Sequence, residues 1–272
     1  MSSIQQGPIG LFDSGLGGLT VLRELQRVLP HQSFAYLGDN ARFPYGTKST
    51  ETIIRYAREC AGFLQSQEIG LLVIACNTAS AAALPILERE LSIPVIGTVG
   101  PAVREALEKT HNGAIGVLGT NATVASRVYD DAIHELSPSI KVVPQACPLF
   151  VPLVEAGMFE GEITDKVVEL YLSPLRAEKV DTVILGCTHY PLLIDSIKKF
   201  LGAEVTVVEC SRAIADDVAR LIEVSSPPVG ATCSATRYFV TDEASRFNQL
   251  AGAFLGSSNV NAIKVDIAVS HR

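Results

Sequence analysis

Short apolar runs alternate along this chain with longer stretches in which apolar residues recur every three or four positions. Runs at 9–12, 33–37, 71–75, 95–97, 114–118, 141–145, 182–185, 205–208 and 237–240 read as buried strands. The stretches at 19–28, 50–67, 78–91, 101–110, 122–136, 161–172, 191–200, 211–223 and 243–255 read as helices. In the second of these, Ile53, Ile54, Ala57, Cys60, Ala61 and Leu64 make one apolar stripe. Parallel strands need a crossover that a helix supplies, so strict strand–helix alternation predicts an α/β fold with mainly parallel sheets flanked by helices.

Two segments repeat one another. Leu71-Leu72-Val73-Ile74-Ala75-Cys76-Asn77-Thr78 and Thr182-Val183-Ile184-Leu185-Gly186-Cys187-Thr188-His189 are each a buried-type strand, a small residue, a cysteine and then polar side chains. Their wide separation fits two similar lobes rather than a solenoid. The lobe boundaries fall near Thr98–Pro101 and Cys210–Ser211, giving one lobe of residues 1–99 plus 211–272 and another of 100–210. Ser225-Ser226-Pro227-Pro228 reads as a surface loop.

Composition narrows the function classes. A net charge of −7 argues against a surface that neutralises nucleic-acid phosphates or anionic lipid. The most apolar stretch, 71–87, is broken by Asn77, Thr78, Ser80 and Pro85, so no membrane span is expected. Residues 1–10 carry neither a basic start nor an apolar core, so a cytoplasmic protein is expected. Cysteines at 60, 76, 147, 187, 210 and 233 are spread as free thiols would be, and the absence of CxxC or HxxH spacing speaks against a structural zinc.

In open α/β sheets ligands bind beyond the carboxyl ends of strands, which is where Cys76 and Cys187 fall. A thiol near its ordinary pKa of about 8.5 moves between acid and base at neutral pH with modest tuning. Two thiols on opposite faces of a substrate could remove a proton from one side and deliver one to the other, which inversion of a carbon centre requires. The alternative is that both are small core residues, which is the reading for Cys60 within its apolar stripe.

The loop Asp13-Ser14-Gly15-Leu16-Gly17-Gly18 follows the first strand; it is neither a dinucleotide fingerprint, since Thr20 stands at the third glycine position, nor a P-loop. Asp13 either caps the following helix or holds a substrate ammonium and orients a thiol. In the loop 38–46, Tyr45 and the Gly46 backbone are ligand candidates. Asn77, Thr78, Thr120, Thr123 and Thr188 are uncharged donors suited to carboxylates, though each could serve only as a helix cap. His189 could tune Cys187, and Glu155 is an acid in an otherwise apolar stretch.

Four blocks, Asp13-Ser14-Gly15-Leu16-Gly17-Gly18-Leu19-Thr20-Val21, Ala41-Arg42-Phe43-Pro44-Tyr45-Gly46, Ala75-Cys76-Asn77-Thr78-Ala79 and Leu185-Gly186-Cys187-Thr188-His189-Tyr190-Pro191-Leu192, resemble the signature blocks of the bacterial glutamate racemase family in order and spacing. The resemblance implies an active site in the cleft between two α/β lobes. It also implies interconversion of L- and D-glutamate without pyridoxal phosphate, metal or other cofactor, the D-isomer serving peptidoglycan synthesis. It assigns Cys76 to the face of the D-substrate and Cys187 to that of the L-substrate, with Asp13 and His189 as auxiliary groups. Ser14, Tyr45, Gly46, Asn77, Thr78 and Thr188 become substrate contacts. A small-molecule substrate is then the expected partner, and a homodimer is left open. The chain departs from the family pattern at Gly100 and at Ser211-Arg212. Rival readings are a racemase for aspartate or another amino acid, a cysteine hydrolase using Cys187 with His189, and a non-catalytic protein on the same scaffold.

Overall fold

The computed structural model describes residues 7–224, 235–256 and 260–267; the Ser225–Pro228 segment and Cys233 lie outside them. The chain begins with β1 (Ile9–Asp13), α1 (Leu19–Val28), β2 (Phe34–Gly38), α2 (Thr50–Gln65), β3 (Leu71–Ile74), α3 (Asn77–Glu90), β4 (Val95–Gly97) and α4 (Val99–Lys109). It continues through β5 (Ala114–Gly119), α5 (Asn121–Ala125), α6 (Val128–Leu136), β6 (Lys141–Ala146), α7 (Phe150–Glu155), α8 (Glu162–Ala177), β7 (Thr182–Gly186), α9 (Ile194–Leu201) and β8 (Thr206–Glu209). It then returns by α10 (Cys210–Val224) to β9 (Thr236–Val240), α11 (Ala244–Leu255) and β10 (Ala262–Lys264).

The strands form two sheets, ordered β10-β9-β2-β1-β3-β4 and β6-β5-β7-β8, with every pairing parallel. Each sheet contains the same four-strand unit. A first strand sits centrally, the second lies to one side, and the third and fourth lie to the other. The order in which strands are added therefore reverses between β1 and β3, and again between β5 and β7. Such reversals open a crevice at the strand ends where ligands fit.

The central strands β1, β5 and β7 are buried along their whole length, which is why they read as unbroken apolar runs. The stripe on α2 is buried at Ile53, Ala57, Cys60, Ala61 and Leu64. A single apolar cluster runs from Ile9 and Leu11 in the first sheet through Ile214 and Val218 of α10 to Leu118, Val183 and Leu185 in the second. Each large aliphatic side chain buried there contributes about 1.5–3 kcal/mol, so the two halves are held by a shared core.

Several elements differ from the sequence reading. The helix expected over 122–136 is two, because Ser126 donates to Thr123 O (2.7 Å) and Arg127 turns left-handed at φ 57°. The loop over 38–46 contains two short 3-10 turns, Asn40–Arg42 and Tyr45–Thr47. The 191–200 helix begins as a 3-10 turn at Tyr190–Leu193 before α9. Helix α8 continues past Pro174 to Ala177, since its buried face of Thr164, Val168, Leu172 and Leu175 outweighs one missing hydrogen bond. α7 and β10 were not expected at all; both are short and lack a full period of pattern. No helix among the described residues is long and apolar enough to cross a membrane.

Candidate active site

The carboxyl ends of the two sheets border one cavity of about 460 Å³. The first sheet lines it with Ser14–Leu16 after β1, Phe43–Thr47 after β2 and Cys76–Thr78 after β3. The second contributes Thr120 after β5, Cys147 after β6 and Cys187–His189 after β7. Cys76 and Cys187 thus follow topologically equivalent strands, each beside the point where its sheet's strand order switches. Both are buried but reach the cavity surface, at 6% and 7% exposure.

Cys76 precedes the first turn of α3, and its thiol donates to Ser14 Oγ at 3.8 Å. Burial pushes this thiol up to about 12, and the Asp13 carboxylate adds to the effect; N–H groups of Ala79 and Ser14 oppose it. Burial likewise raises Cys187 well above the usual thiol range, opposed by the His189 N–H and reinforced by Cys76 and Asp13. Burial therefore favours the neutral thiol at both positions near neutral pH. A thiolate there awaits positive charge or donors that a ligand brings.

The sign of this shift makes a measurable prediction. Below its raised pKa the thiolate fraction of Cys76 grows about tenfold per pH unit, so iodoacetamide should label it slowly at pH 8 and progressively faster to pH 10. Mass mapping of the label checks this. Fast labelling of Cys76 that does not change across that range would contradict the burial argument.

Part of the remaining polar wall is a cluster of uncharged hydroxyls. Thr78 Oγ1 lies 3.0 Å from Thr120 Oγ1 and 3.2 Å from Thr123 Oγ1, so three hydroxyls from both halves meet at one point. Thr120 also caps α5, accepting from Thr123 N at 3.2 Å, so the cap reading holds for it while its side chain also lines the cavity. Asn77 lines the cavity, and its buried Nδ2 has no hydrogen-bond partner among the described residues. Gly46 packs so tightly on Thr120 that an added Cβ would lie 2.8 Å from its Cβ.

Two of the sequence candidates stand behind this wall. Thr123 is buried beneath Thr78 and Thr120 and does not line the cavity. Asp13 is wholly buried; it is not the N-cap of α1, a position held by Gly18. Its Oδ2 accepts from Gly15 N at 2.9 Å and its Oδ1 from Thr188 Oγ1 at 3.2 Å, tying the glycine loop to the segment carrying Cys187. Burial raises Asp13, against the pull of His189 and of the Gly15 and Gly18 N–H groups. Tyr45 lines the cavity, but its hydroxyl is committed to Asp39 Oδ2.

His189 and Glu155 form a pair, Nε2 to Oε1 at 2.8 Å, although 34 residues separate them. The imidazole sits between Phe43 and Phe254, with ring centroids 5.8 and 5.6 Å away. Glu155 is held there by α7, the short helix that the sequence pattern did not announce. Other lining residues escaped the sequence reading too: Phe43, Pro44, Val151, Pro152, Arg246 and Phe247. Phe43 and Pro44 stood within a quoted block and offered a signal. Arg246 and Phe247 offered none, because α11 reaches the cavity only through its packing beside the first sheet.

Over residues 17–218 the chain matches the family described as Asp/Glu/Hydantoin racemase. It is 45% identical to a glutamate racemase of Geobacter metallireducens over 262 residues, which cover 95% of this chain and 96% of the relative. Its fold matches the crystal structure of a glutamate racemase isoform from Bacillus anthracis with a TM-score of 0.91 at 39% identity, covering 97% of this chain and 99% of the other. A glutamate racemase from Francisella tularensis, solved in complex with D-glutamate, matches with a TM-score of 0.90 at 35% identity over 96% of this chain and 98% of that one. Likeness of this order, extending from the glycine loop through both cysteine segments, has one meaning for descent: the chain belongs to the Asp/Glu/hydantoin racemase family.

Proposed function

We propose that the protein is a glutamate racemase, interconverting L- and D-glutamate by proton transfer between Cys76 and Cys187 without pyridoxal phosphate. The observation that carries this reading is the pair of thiols at equivalent strand ends of two like sheets, lining one cavity. The relatives named above support glutamate as the substrate. A hydrolase using Cys187 and His189 leaves Cys76 without a task.

In this mechanism the cavity takes the substrate carboxylates on its uncharged donors, Ser14, Asn77, Thr78, Thr120 and Thr188 among them. The substrate ammonium supplies the positive charge that favours a thiolate. From L-glutamate the Cys187 thiolate takes the α-proton, leaving a carbanion whose charge spreads onto the carboxylate and its hydrogen-bond donors. The Cys76 thiol protonates the opposite face, giving D-glutamate and a Cys76 thiolate that starts the reverse reaction. Asp13, acting on both thiols, and His189 with Glu155 are auxiliary groups. Preorganised donors in a site closed to water give the stabilisation that a weakly acidic carbon needs. The lobes of this mechanism are residues 1–99 with 211–272 and residues 100–210, hinged where the chain crosses near Val99 and Cys210. The reaction would run in the cytoplasm and feed D-glutamate to peptidoglycan synthesis.

Incubation of pure L-glutamate in heavy water, with no added cofactor, tests the reading. D-glutamate should appear with one solvent deuterium at the α-carbon and accumulate until the isomers are equal. Product that retains its original α-hydrogen, or activity that requires added pyridoxal phosphate, would overturn it.

A further inference from the structure

We propose that Tyr129, from the far side of the cleft, and Thr98, from the near side, are positioning residues that orient the Asn77 amide, presenting its N–H to a substrate carboxylate; the inference rests on the racemase reading above. Asn77 follows Cys76 directly and lines the cavity. Its Oδ1 accepts from Tyr129 OH at 2.6 Å and from Thr98 Oγ1 at 2.8 Å. Tyr129 stands on α6, beside the second sheet, and Thr98 is the N-cap of α4, where the chain first crosses between sheets.

An amide side chain can be turned end for end with little change in shape, so its neighbours decide which atom faces the ligand. Here two hydroxyl donors converge on one end. The phenolic proton has a choice between Asn77 Oδ1 at 2.6 Å and Cys210 Sγ at 3.3 Å, and the carbonyl is both the nearer and the stronger acceptor. Burial holds Tyr129 well above the usual phenol range, so it remains a donor at any working pH. The Cys210 proton is in turn directed to Leu185 O at 3.1 Å, two residues before Cys187. With its oxygen end occupied twice, Asn77 presents Nδ2, which is buried and without a partner among the described residues. A buried amide N–H in that state is unfavourable until an acceptor arrives, and a substrate carboxylate in the cavity is such an acceptor.

The arrangement also spans the cleft. Asn77 belongs to the half that carries Cys76, and Tyr129 to the half that carries Cys187, 52 residues away in sequence. The Tyr129–Asn77 bond therefore ties the half carrying Cys76 to the half carrying Cys187 at the cavity wall.

Steady-state kinetics of Tyr129→Phe on L-glutamate test the proposal. KM should rise about tenfold, the effect of one weakened hydrogen bond to a charged group, while kcat falls by less than about threefold. In an Asn77→Ala background the same substitution should add less than about twofold, because its route of action is gone. A tyrosine with only a structural role would cost the same in both backgrounds. Thr98→Val removes the second donor and should raise KM in the same way, and it decides the matter if Tyr129→Phe does not fold. An unchanged KM in the folded variant, or equal losses with and without Asn77, overturns the proposal. A wild-type protein that does not racemise glutamate overturns the functional reading and this proposal together; an active wild type with a weakened Asn77→Ala and an unaffected Tyr129→Phe overturns this proposal alone.

Discussion

Cys76→Ser should lower racemisation by at least about 10²–10⁴-fold, the range that a positioned acid or base contributes, while leaving a one-sided exchange reaction intact. A serine hydroxyl neither ionises near neutral pH nor gives up its proton as readily as a thiol. Cys187 remains able to take the α-proton of L-glutamate. With no donor opposite, the carbanion recovers a hydrogen from the side it lost one, and the product is L-glutamate again. In heavy water the α-proton signal of L-glutamate should therefore fade without D-glutamate appearing. Cys187→Ser should show the mirror image, exchange of D-glutamate without inversion. The exchange measurement is needed because L- and D-glutamate have equal free energy. The kcat/KM values of the two directions must stay equal in every variant, so racemisation rates cannot say which thiol serves which face. Near-normal racemisation in either variant would sink the two-thiol proposal; exchange confined to the wrong enantiomer would reverse the assignment of faces.

Gly17→Ala should lower kcat/KM by about 10²-fold or more, with the secondary structure unchanged in circular dichroism. A Cβ at this position would stand 2.2 Å from Thr188 Oγ1 and 2.5 Å from His189 Nδ1. Neither neighbour can yield cheaply. Thr188 is bonded to Asp13, and His189 is bonded to Glu155 and flanked by Phe43 and Phe254. Both lie directly beyond Cys187, so one methyl group pushes the Cys187 segment of the second sheet away from the glycine loop of the first. Thr20 is part of the same contact, its Oγ1 lying 3.1 Å from Thr188 O. The matched control is Gly62→Ala in α2, where an added Cβ meets nothing within 4 Å. It should leave activity unchanged and stabilise the helix by about 0.5–1 kcal/mol. Full activity in Gly17→Ala would mean that the halves need not approach this closely for turnover.

These two expectations show how unevenly the site could be read from the chain. The cysteines were legible because each ends an unbroken apolar run, and the run predicts its own burial and its own end. The polar residues just after them, Asn77, Thr78, Thr188 and His189, were legible for the same reason, and all four line the cavity. Asp13 and Thr123 belong to the right neighbourhood, yet they act on the lining from behind it. The contribution of α11 and the hold of Tyr129 on Asn77 carried no local signal.

What the sequence by itself determined is the alternation of parallel strands and covering helices, the duplicated strand–cysteine unit and the family blocks. These follow from apolar periodicity and from residue types read a few positions apart, where local hydrogen bonding and burial dominate. Only the tertiary structure decided how the halves meet. Thr188 reaches Asp13 across 175 residues, and Tyr129 reaches Asn77 across 52. Such pairings depend on how two sheets pack through a shared core, a property that no window along the chain contains.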